Sequence, residues 1–311
     1  MSILVACRCG HEFRVKDKYA GMEGKCPACG GMIQVPSQAP AGSLQTLSAA
    51  KTLVDVPLPT VAAPQVALVD PATERARVAL AIQRAMLPRQ PPELAACEVA
   101  GVVQPADITG GDYYDFFPLQ DGSLALAIGD AAGHGLGAAL LMGEARICLR
   151  ALAQAYSDVG TVFTLTNRVF AAGMPDDIYA TLTLARLDLN TRLLSYASAG
   201  HPTGYVFDIH GKVKWNLEST DCPLGLLAQT IYGTSSPLRL EAGELVLFVT
   251  NGIVKSRAAD GTLFGVERIW SVVEANHRQP VKAIAETLCQ AARSFSGNQT
   301  DDLTAMVMRI R

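Results

Sequence analysis

A surplus of positive charge is absent from this sequence. Its 311 residues contain 26 Lys and Arg against 29 Asp and Glu, which gives a formal net charge of −3 at pH 7. Proteins that bind nucleic acids or anionic membranes electrostatically carry a basic surface or a polybasic segment. The sequence has neither, so we expect no nucleic acid and no membrane among its partners.

Long apolar runs are also missing. The longest apolar-leaning stretch, residues 123–143, contains Asp130, His134 and five glycines, so it is too polar to cross a bilayer. Residues 1–6 lack the basic segment and the long apolar core of a signal peptide. With 49% hydrophobic and 18% charged residues, we expect a soluble cytoplasmic protein with one large core and a smaller appended module.

The eight cysteines fall into two sets. Four lie before residue 30, as a CxC pair and a CxxC pair with sixteen residues between them: Cys7, Cys9, Cys26 and Cys29. This spacing is typical of a tetrahedral zinc site; the alternatives are disulfides or redox thiols, and His11 is more often a bystander than a ligand. The other four cysteines are isolated in apolar surroundings and are expected to be reduced core thiols.

The segment around the first four cysteines is too short to bury a core without help. Residues 1–36 are therefore predicted to form a zinc ribbon that one structural zinc ion stabilises. The segment resembles the short zinc ribbons that precede many bacterial multidomain proteins. Beyond it, residues 37–69 are rich in Ala, Pro, Ser, Thr and Val, which predicts a flexible linker.

A helix is predicted over residues 70–88. Asp70 and Pro71 are typical of an N-cap and a first-turn proline. Val78, Ile82 and Met86 recur at four-residue spacing and form an apolar stripe. The stripe either packs on the helix's own domain or serves as a dimerisation or signal-transmitting face, which makes a homodimer through residues 70–88 an expected partner arrangement.

Residues 89–311 are predicted to form a single α+β domain. Short apolar runs predict strands at residues 98–104, 124–128, 179–187, 193–197, 204–207, 245–249 and 303–308. Longer periodic segments predict helices at residues 136–156, 161–172, 266–275 and 280–295. Helices that come in consecutive pairs between groups of strands indicate α+β layering, not alternation of single strands and helices.

Four short segments place an acidic residue, or an amide in its place, beside an apolar run. They are Gly111–Asp115, Gly129–Gly135, Thr250–Gly252 and Asp301–Thr304. Carboxylates that converge from separate segments bind hard cations such as Mg or Mn. Three of the segments also have a simpler interpretation: Asp130 as a helix N-cap, Asp112 as a loop residue, and Asn251–Gly252 as a turn.

Together, nine ordered blocks resemble the catalytic domain of the SpoIIE/RsbU-type branch of the PPM metal-dependent serine/threonine phosphatases. The blocks are QRAMLP (83–88), GGDYYDF, IGDAAGHGLGAAL, YATLTLARLD, SAGHP, PLGLL, TNGIVKSR, LFGVERI and DDLTAMVMR (301–309). The resemblance implies two stacked β-sheets flanked by helix pairs, with a dinuclear Mn or Mg centre at one end of the sandwich.

The resemblance also assigns roles to individual residues. Asp112 and Asp130 would be metal ligands and catalytic residues, with Asp130 bridging both ions and the Ala131 carbonyl oxygen as a further ligand. Asp301 would complete the other side, and Asp302 would be an alternate ligand because adjacent side chains point to opposite faces of a strand. Two residues have weaker assignments: His134 as a proton donor to the leaving group, and His201 as a residue that orders a turn.

Asn251 departs from the family's pattern, which has an aspartate there. An amide oxygen coordinates metal without charge, so we expect weakened metal affinity at this position. Lys255 stands where related sequences tend to have an acidic residue. Three functions follow as alternatives: a phosphatase acting on a phosphoprotein, such as an anti-anti-sigma-type regulator; a pseudophosphatase that binds a partner without turnover; and a zinc-ribbon adaptor with the large domain as scaffold.

Overall fold

The computed structural model describes most of the chain outside one long segment. The described residues are 2–8, 12–16, 19–26, 29, 31–36, 71–88, 92, 94–133, 135–173 and 178–311. Cys9, His11, Asp70, His134 and the predicted linker 37–69 lie outside them. The chain divides into two compact units, Met1–Val66 and Ala67–Arg311. The predicted domain bounds, 1–36, 37–69, 70–88 and 89–311, stay predictions.

The described residues of the smaller unit form two β-hairpins. Its strands are β1 (Ser2–Ala6), β2 (Glu12–Lys16), β3 (Glu23–Lys25) and β4 (Met32–Gln34). β1 pairs with β2, and β3 pairs with β4, both antiparallel. The buried side chains of Ile3, Val5 and Val35 form a very small apolar core. A core of this size contributes little stability, which is consistent with a module that needs a further cross-link.

The larger unit begins with a helix and continues as an α+β sandwich. Its helices are α1 (Pro71–Met86), α2 (Gly135–Ala155), α3 (Val159–Gly173), α4 (Asn251–Val254), α5 (Gly265–Asn276) and α6 (Val281–Ser296). Its strands are β5 (Cys97–Gln104), β6 (Asp112–Pro118), β7 (Leu124–Ala131), β8 (Ala180–Leu187), β9 (Leu193–Ala199), β10 (Gly204–Phe207), β11 (Val213–Leu217), β12 (Leu238–Arg239), β13 (Leu245–Val249) and β14 (Leu303–Ile310). No helix among the described residues is both long and apolar enough to span a bilayer.

Two five-stranded sheets stack face to face. Their strand orders are β11-β10-β13-β14-β5 and β12-β9-β8-β7-β6, and the strands within each sheet pair antiparallel. One apolar core lies between the sheets, a second packs α2 and α3 on the outer face of the second sheet, and a third packs α5 and α6 on the first. This layering confirms the predicted α+β fold of two stacked sheets flanked by helix pairs.

Side chains of one strand point alternately into the core between the sheets and into the core beneath the helices. In β6, Tyr113 and Phe117 belong to the core beneath α2 and α3, whereas Tyr114 and Phe116 belong to the core between the sheets. Successive residues of a strand point to opposite faces of the sheet. A strand that is buried on both faces therefore has a nearly continuous apolar sequence. Each strand and helix predicted for this unit is present, and its first and last residues differ from the prediction by at most three positions. The elements β6, β11, β12 and α4 were not predicted.

Helix α1 contacts the rest of the larger unit through its C-terminal half. The thioether of Met86 approaches Gly143 of α2, where an added Cβ atom would lie 3.4 Å from the Met86 sulfur. Gln83 Nε2 donates a hydrogen bond to the Gly110 carbonyl at 2.6 Å, and the Gly110 N–H donates to Gln83 Oε1 at 3.3 Å. Val78 and Ile82 remain exposed. The predicted apolar stripe is therefore divided: Met86 packs on the helix's own domain and the other two side chains are uncovered.

Candidate metal centre

Residues of both sheets meet at one end of the sandwich. Asp112 is the first residue of β6 and lies directly opposite Asp130 of the neighbouring β7. In the other sheet, Asn251 follows the end of β13 and Asp301 precedes the start of the adjacent β14. The topology thus brings together residues that are separated by up to 189 positions in the sequence, 301 minus 112.

Asp112 is buried and held by two hydroxyls. Its Oδ2 atom accepts hydrogen bonds from Thr250 Oγ1 at 2.7 Å and from Thr304 Oγ1 at 2.5 Å. Burial raises the pKa of Asp112 well above its usual value and the nearby Asp130 raises it further, while the hydroxyls of Thr304 and Thr250 lower it. A carboxylate in this environment lacks a countercharge, and a bound cation would supply one.

Asp130 is half-buried and contacts Asn251. Asn251 Nδ2 donates a hydrogen bond to Asp130 Oδ2 at 2.8 Å. Burial raises the pKa of Asp130 to about 7, and the charges of Asp301 and Asp302 contribute to the rise, while Lys255 and the Asn251 amide lower it. Part of the Asp130 population is therefore protonated at neutral pH before any cation binds.

Asp301 and Asp302 differ in exposure and in what they contact. Asp302 is buried, and its carboxylate accepts hydrogen bonds from the backbone N–H groups of Ala106 at 2.8 Å and of Asp112 at 3.2 Å. It therefore organises the segment before β6. Asp301 is exposed and lines the cleft. Partial burial raises the pKa of Asp301, and the hydrogen bond from the Asp302 N–H lowers it. The negative charge of Asp302 raises this pKa further, while the positive charge of Lys255 lowers it.

Glycines permit the backbone to pack closely around these carboxylates. A Cβ atom at Gly110 would lie 1.9 Å from Asp302 Oδ2, and one at Gly252 would lie 1.9 Å from the Asp302 carbonyl oxygen. At Gly111 a Cβ atom would lie 2.9 Å from the Ala131 carbonyl oxygen. Real Cβ atoms do not fit at such distances, so the arrangement of the site depends on the absence of side chains at these positions.

A cleft of about 680 Å³ opens above the aspartates. Asp130, Asp301, Asn251, Lys255 and the backbone of Ala131 line it, together with residues of the β8 and β9–β10 segments. His201 also lines it but is buried, with Nδ1 3.1 Å from Thr181 Oγ1. Burial lowers the pKa of His201 to about 3, so this imidazole is neutral. These contacts do not test the predicted role of His201 in ordering a turn.

The donor set suits hard cations. The cleft end of the sandwich offers carboxylate, amide and carbonyl oxygens, which are the ligands of Mg and Mn. Among the described residues, the aspartates do not all approach one another within 4.8 Å, a condition that only three cysteines fulfil.

Three of the local interpretations considered from sequence are wrong. Asp112 lies in a strand, not in a loop, because β6 pairs along its length with β7. Asp130 lies within β7, and α2 begins only at Gly135, so Asp130 is not a helix N-cap. Asn251–Gly252 opens the short helix α4 and does not form a hairpin turn. His134 lies outside the described residues, so its predicted role stays untested.

Sequence reasoning missed several residues that support the site. Thr250 and Thr304 hold Asp112, and Gln83 of α1 holds Gly110 through a paired amide contact. Both threonines are end residues of the acidic segments Thr250–Gly252 and Asp301–Thr304, and that position was the available signal. Asp115 of the first motif lies away from the cleft: it is buried, receives a hydrogen bond from Tyr113, and lies 3.4 Å from two arginines of α2, Arg146 and Arg150.

A second cluster of metal-ligand type lies in the smaller unit. The Sγ atoms of Cys7, Cys26 and Cys29 all lie within 4.8 Å of one another. Cys7 and Cys29 are 3.6 Å apart, which exceeds the roughly 2.05 Å of a disulfide bond. Four thiolates about 2.3 Å from a tetrahedral zinc ion would be separated by ~3.8 Å, so the three described thiols fit such a shell. Cys9 lies outside the described residues.

The fold identifies the class of protein. The structure superposes on the SiaA-PP2C domain of Pseudomonas aeruginosa with a TM-score of 0.67, at 24% identity over 77% of this chain and 96% of that domain. It also resembles the catalytic domain of the serine threonine protein phosphatase PstP in complex with two manganese ions, with a TM-score of 0.53, 15% identity, and coverage of 69% and 98%. These similarities establish the PP2C phosphatase fold.

The sequence identifies the family. The family model described as Stage II sporulation protein E (SpoIIE) matches residues 120–311, so the chain belongs to the SpoIIE family and the predicted resemblance is confirmed. The chain is 28% identical over 255 residues to Protein IcfG of Synechocystis sp., and 26% identical over 226 residues to Phosphoserine phosphatase RsbU of Bacillus subtilis. Each match covers 73% of this chain, but only 40% and 63% of those relatives.

Proposed function

We propose that this chain is a metal-dependent protein phosphatase that removes phosphate from serine or threonine of a regulatory phosphoprotein. The observation that carries the proposal is that Asp130 and Asp301 line one cleft, with Asp112 directly opposite Asp130 in the neighbouring strand, in a chain of the SpoIIE family. A relative named as a phosphoserine phosphatase, RsbU, supports the reaction. An anti-anti-sigma-type regulator is the substrate that we infer from this kinship.

The proposed metal centre takes its ligands from both sheets. Asp112, Asp130 and the Ala131 carbonyl would hold Mn or Mg on the β6–β7 side, and Asp301 on the β14 side, with Asn251 as a weakened position and Asp302 as an alternate. Two such ions, when bound, supply Lewis acidity that activates water and neutralises phosphate charge. The manganese ions in the structurally similar PstP domain support this choice of metal.

The chain's own residues position these ligands. The hydroxyls of Thr250 and Thr304 keep Asp112 Oδ2 oriented, because each donates to the same oxygen. Asp302 holds the backbone at Ala106 and Asp112. The phosphate group of the substrate would enter through the cleft. We assign His134 as the group that donates a proton to the leaving serine or threonine oxygen. In-line attack by water requires no covalent intermediate on the protein.

One observation favours a second candidate function. Asn251 donates to Asp130 Oδ2, so an uncharged amide occupies an acceptor site on the proposed bridging carboxylate. A chain with this feature would bind a phosphoprotein or another partner through the same surface without turnover, as a pseudophosphatase. The intact aspartates weigh against it, because the buried Asp112 and the half-buried Asp130 carry carboxylates that a bound cation would stabilise.

A phosphoprotein assay tests the proposal. The purified full chain should release inorganic phosphate from a phosphoserine-bearing regulator of the anti-anti-sigma type when manganese is present. The Asp130→Ala protein should release none above background. If both proteins bind the phosphorylated regulator and neither releases phosphate at any manganese concentration, the pseudophosphatase is the better description.

Two further parts of the proposal concern the remainder of the chain. We infer that Cys7, Cys9, Cys26 and Cys29 hold one structural zinc ion, a set supported by the close approach of the three described thiols. We also infer that residues 70–88 form a homodimer contact, because Val78 and Ile82 are 52% and 54% exposed on α1. Replacing Ile82 by Asp should then lower the mass measured by light scattering, and an unchanged mass would contradict the dimer.

A further inference from the structure

The cleft above the aspartates has one cationic side chain among its described lining residues, that of Lys255. The same cleft contains the carboxylates of Asp130 and Asp301. His201 contributes no positive charge, because burial lowers its pKa to about 3. Among the described lining residues, a phosphate group that enters this cleft therefore meets one cationic side chain.

The fold directs Lys255 toward the aspartates. The Lys255 N–H donates to the Asn251 carbonyl oxygen at 2.7 Å, so the two residues are one helical turn apart. Lys255 is the C-cap residue of the short helix α4, and it lines the same cleft as Asn251, whose side chain contacts Asp130. Lys255 also lines a smaller neighbouring pocket with Asn298, which places it on the wall between the two cavities.

The ammonium group of Lys255 is available for a ligand. It is exposed, and it forms no ion pair or side-chain hydrogen bond with any residue in the described parts of the chain. It lines the same cleft as Asp130 and Asp301. A lysine carries three donors, and here none of them is committed to a protein acceptor.

We propose that Lys255 is a phosphate-binding residue of the cleft, which fixes the phosphoryl oxygens of the substrate beside Asp130 and Asp301. The inference rests on the proposed phosphatase function, because it identifies the protein group that recognises the phosphoester. Its physical basis is charge balance. The Asn251 amide adds no negative charge to hold a second ion, and a phosphate dianion would otherwise face two carboxylates with only metal to offset their repulsion.

A competing role for Lys255 makes a different prediction. If the lysine served only as a counter-ion for Asp130 and Asp301, its removal would destabilise the metal-free protein and leave phosphate affinity unchanged. If it binds phosphate, its removal weakens phosphate binding and leaves the melting temperature nearly the same, because an exposed side chain contributes little to folding.

Calorimetric titration of the manganese-loaded full chain with inorganic phosphate separates these roles. Lys255→Met should weaken phosphate binding about tenfold, or ~1.4 kcal/mol. Lys255→Arg should retain most of the affinity. The matched control is Lys282→Met on α6, a lysine whose side chain is 71% exposed. It should bind phosphate and manganese like the unaltered protein.

Steady-state kinetics on p-nitrophenyl phosphate provide a second readout. Lys255→Met should raise KM more than it lowers kcat, because the contact forms when the phosphate binds and persists in the transition state. Phosphate affinity within twofold of the unaltered protein, or no phosphate binding by the unaltered protein itself, would overturn the inference. Lysine-dependent phosphate binding without any turnover would support this inference and refute the phosphatase proposal, so the two can fail separately.

Discussion

Replacing Asn251 by Asp should change both the stability of the metal-free protein and its affinity for manganese. In the metal-free protein the amide donates to Asp130 Oδ2 at 2.8 Å. A hydrogen bond to a charged group contributes about 1.5–3 kcal/mol. A carboxylate in its place removes that bond and adds repulsion, which reaches roughly 4 kcal/mol for two full charges 4 Å apart at an effective dielectric constant of about 20.

Protonation of Asp130 reduces the repulsion between the two carboxylates, because the pKa of Asp130 already lies at about 7. We therefore expect the metal-free Asn251→Asp protein to be less stable by about 2–4 kcal/mol, a fall in melting temperature of roughly 4–16 °C for a domain of this size. Manganese should reverse the sign of the effect. The added carboxylate attracts the ion, so manganese affinity and turnover should each rise tenfold or more, equivalent to ~1.4 kcal/mol.

Three assays on the same preparations check this prediction. Differential scanning fluorimetry in EDTA and in manganese measures the change of sign, calorimetry measures the metal affinity, and release of p-nitrophenol from its phosphate measures turnover. Asn–Gly sequences deamidate, so the intact mass of the unaltered protein must be verified before each assay. If the variant and the unaltered protein show the same metal affinity and the same rate, Asn251 does not face the metals and its assignment to the site is refuted.

The remaining predictions concern pH, packing and zinc. The pKa of Asp130 is raised to about 7 in the folded protein, so its protonated form stabilises the metal-free fold at low pH. The melting temperature in EDTA should therefore fall as the pH rises from about 4 through 7. Manganese affinity should rise over the same interval, because the ionised carboxylate binds the cation. A flat profile in both would contradict the stated environment of Asp130. Gly110→Ala should destabilise the protein by about 1–3 kcal/mol and weaken manganese binding, because its Cβ atom would lie 1.9 Å from Asp302 Oδ2. The control, Gly137→Ala in α2, has no atom within 4 Å of the added Cβ and should be neutral or stabilising by up to about 1 kcal/mol in urea unfolding; equal effects would refute the packing argument. The full chain should contain one equivalent of zinc by metal analysis, which Cys26→Ser should remove and Cys148→Ser should leave in place; zinc that persists in Cys26→Ser would exclude the four-cysteine site.

The fold was predictable from periodicity and from motif order. Strands such as β8 and β13 are continuous apolar runs, and α5 and α6 have regular apolar spacing, so each segment carries its own signal. β6 was missed because Asp112 and Asp115 interrupt its apolar pattern. Both are buried in the structure by partners remote in sequence: threonines for Asp112, and the α2 arginines for Asp115.

The sequence selected candidate anionic residues for the site, but it did not indicate the contacts that orient them. The family resemblance selected Asp112, Asp130, Asp301 and Asn251, and the topology places them at one end of the sandwich. The direction of the Asn251 amide and the contact of Gln83 with Gly110 depend on tertiary packing across 121 and 27 positions of sequence, respectively. A single sequence carries no local pattern for such contacts, because nothing in the residues near Gln83 encodes its distant acceptor.

The most direct test of the central claim is the manganese dependence of phosphate-ester hydrolysis by the purified chain. With p-nitrophenyl phosphate, the rate should rise with added manganese, vanish in EDTA, and be lost in the Asp130→Ala protein, which should also bind less manganese. A rate that is zero at every manganese concentration in both the unaltered protein and Asn251→Asp, or a rate that persists in EDTA or in Asp130→Ala, would contradict a metal-dependent phosphatase built on these aspartates.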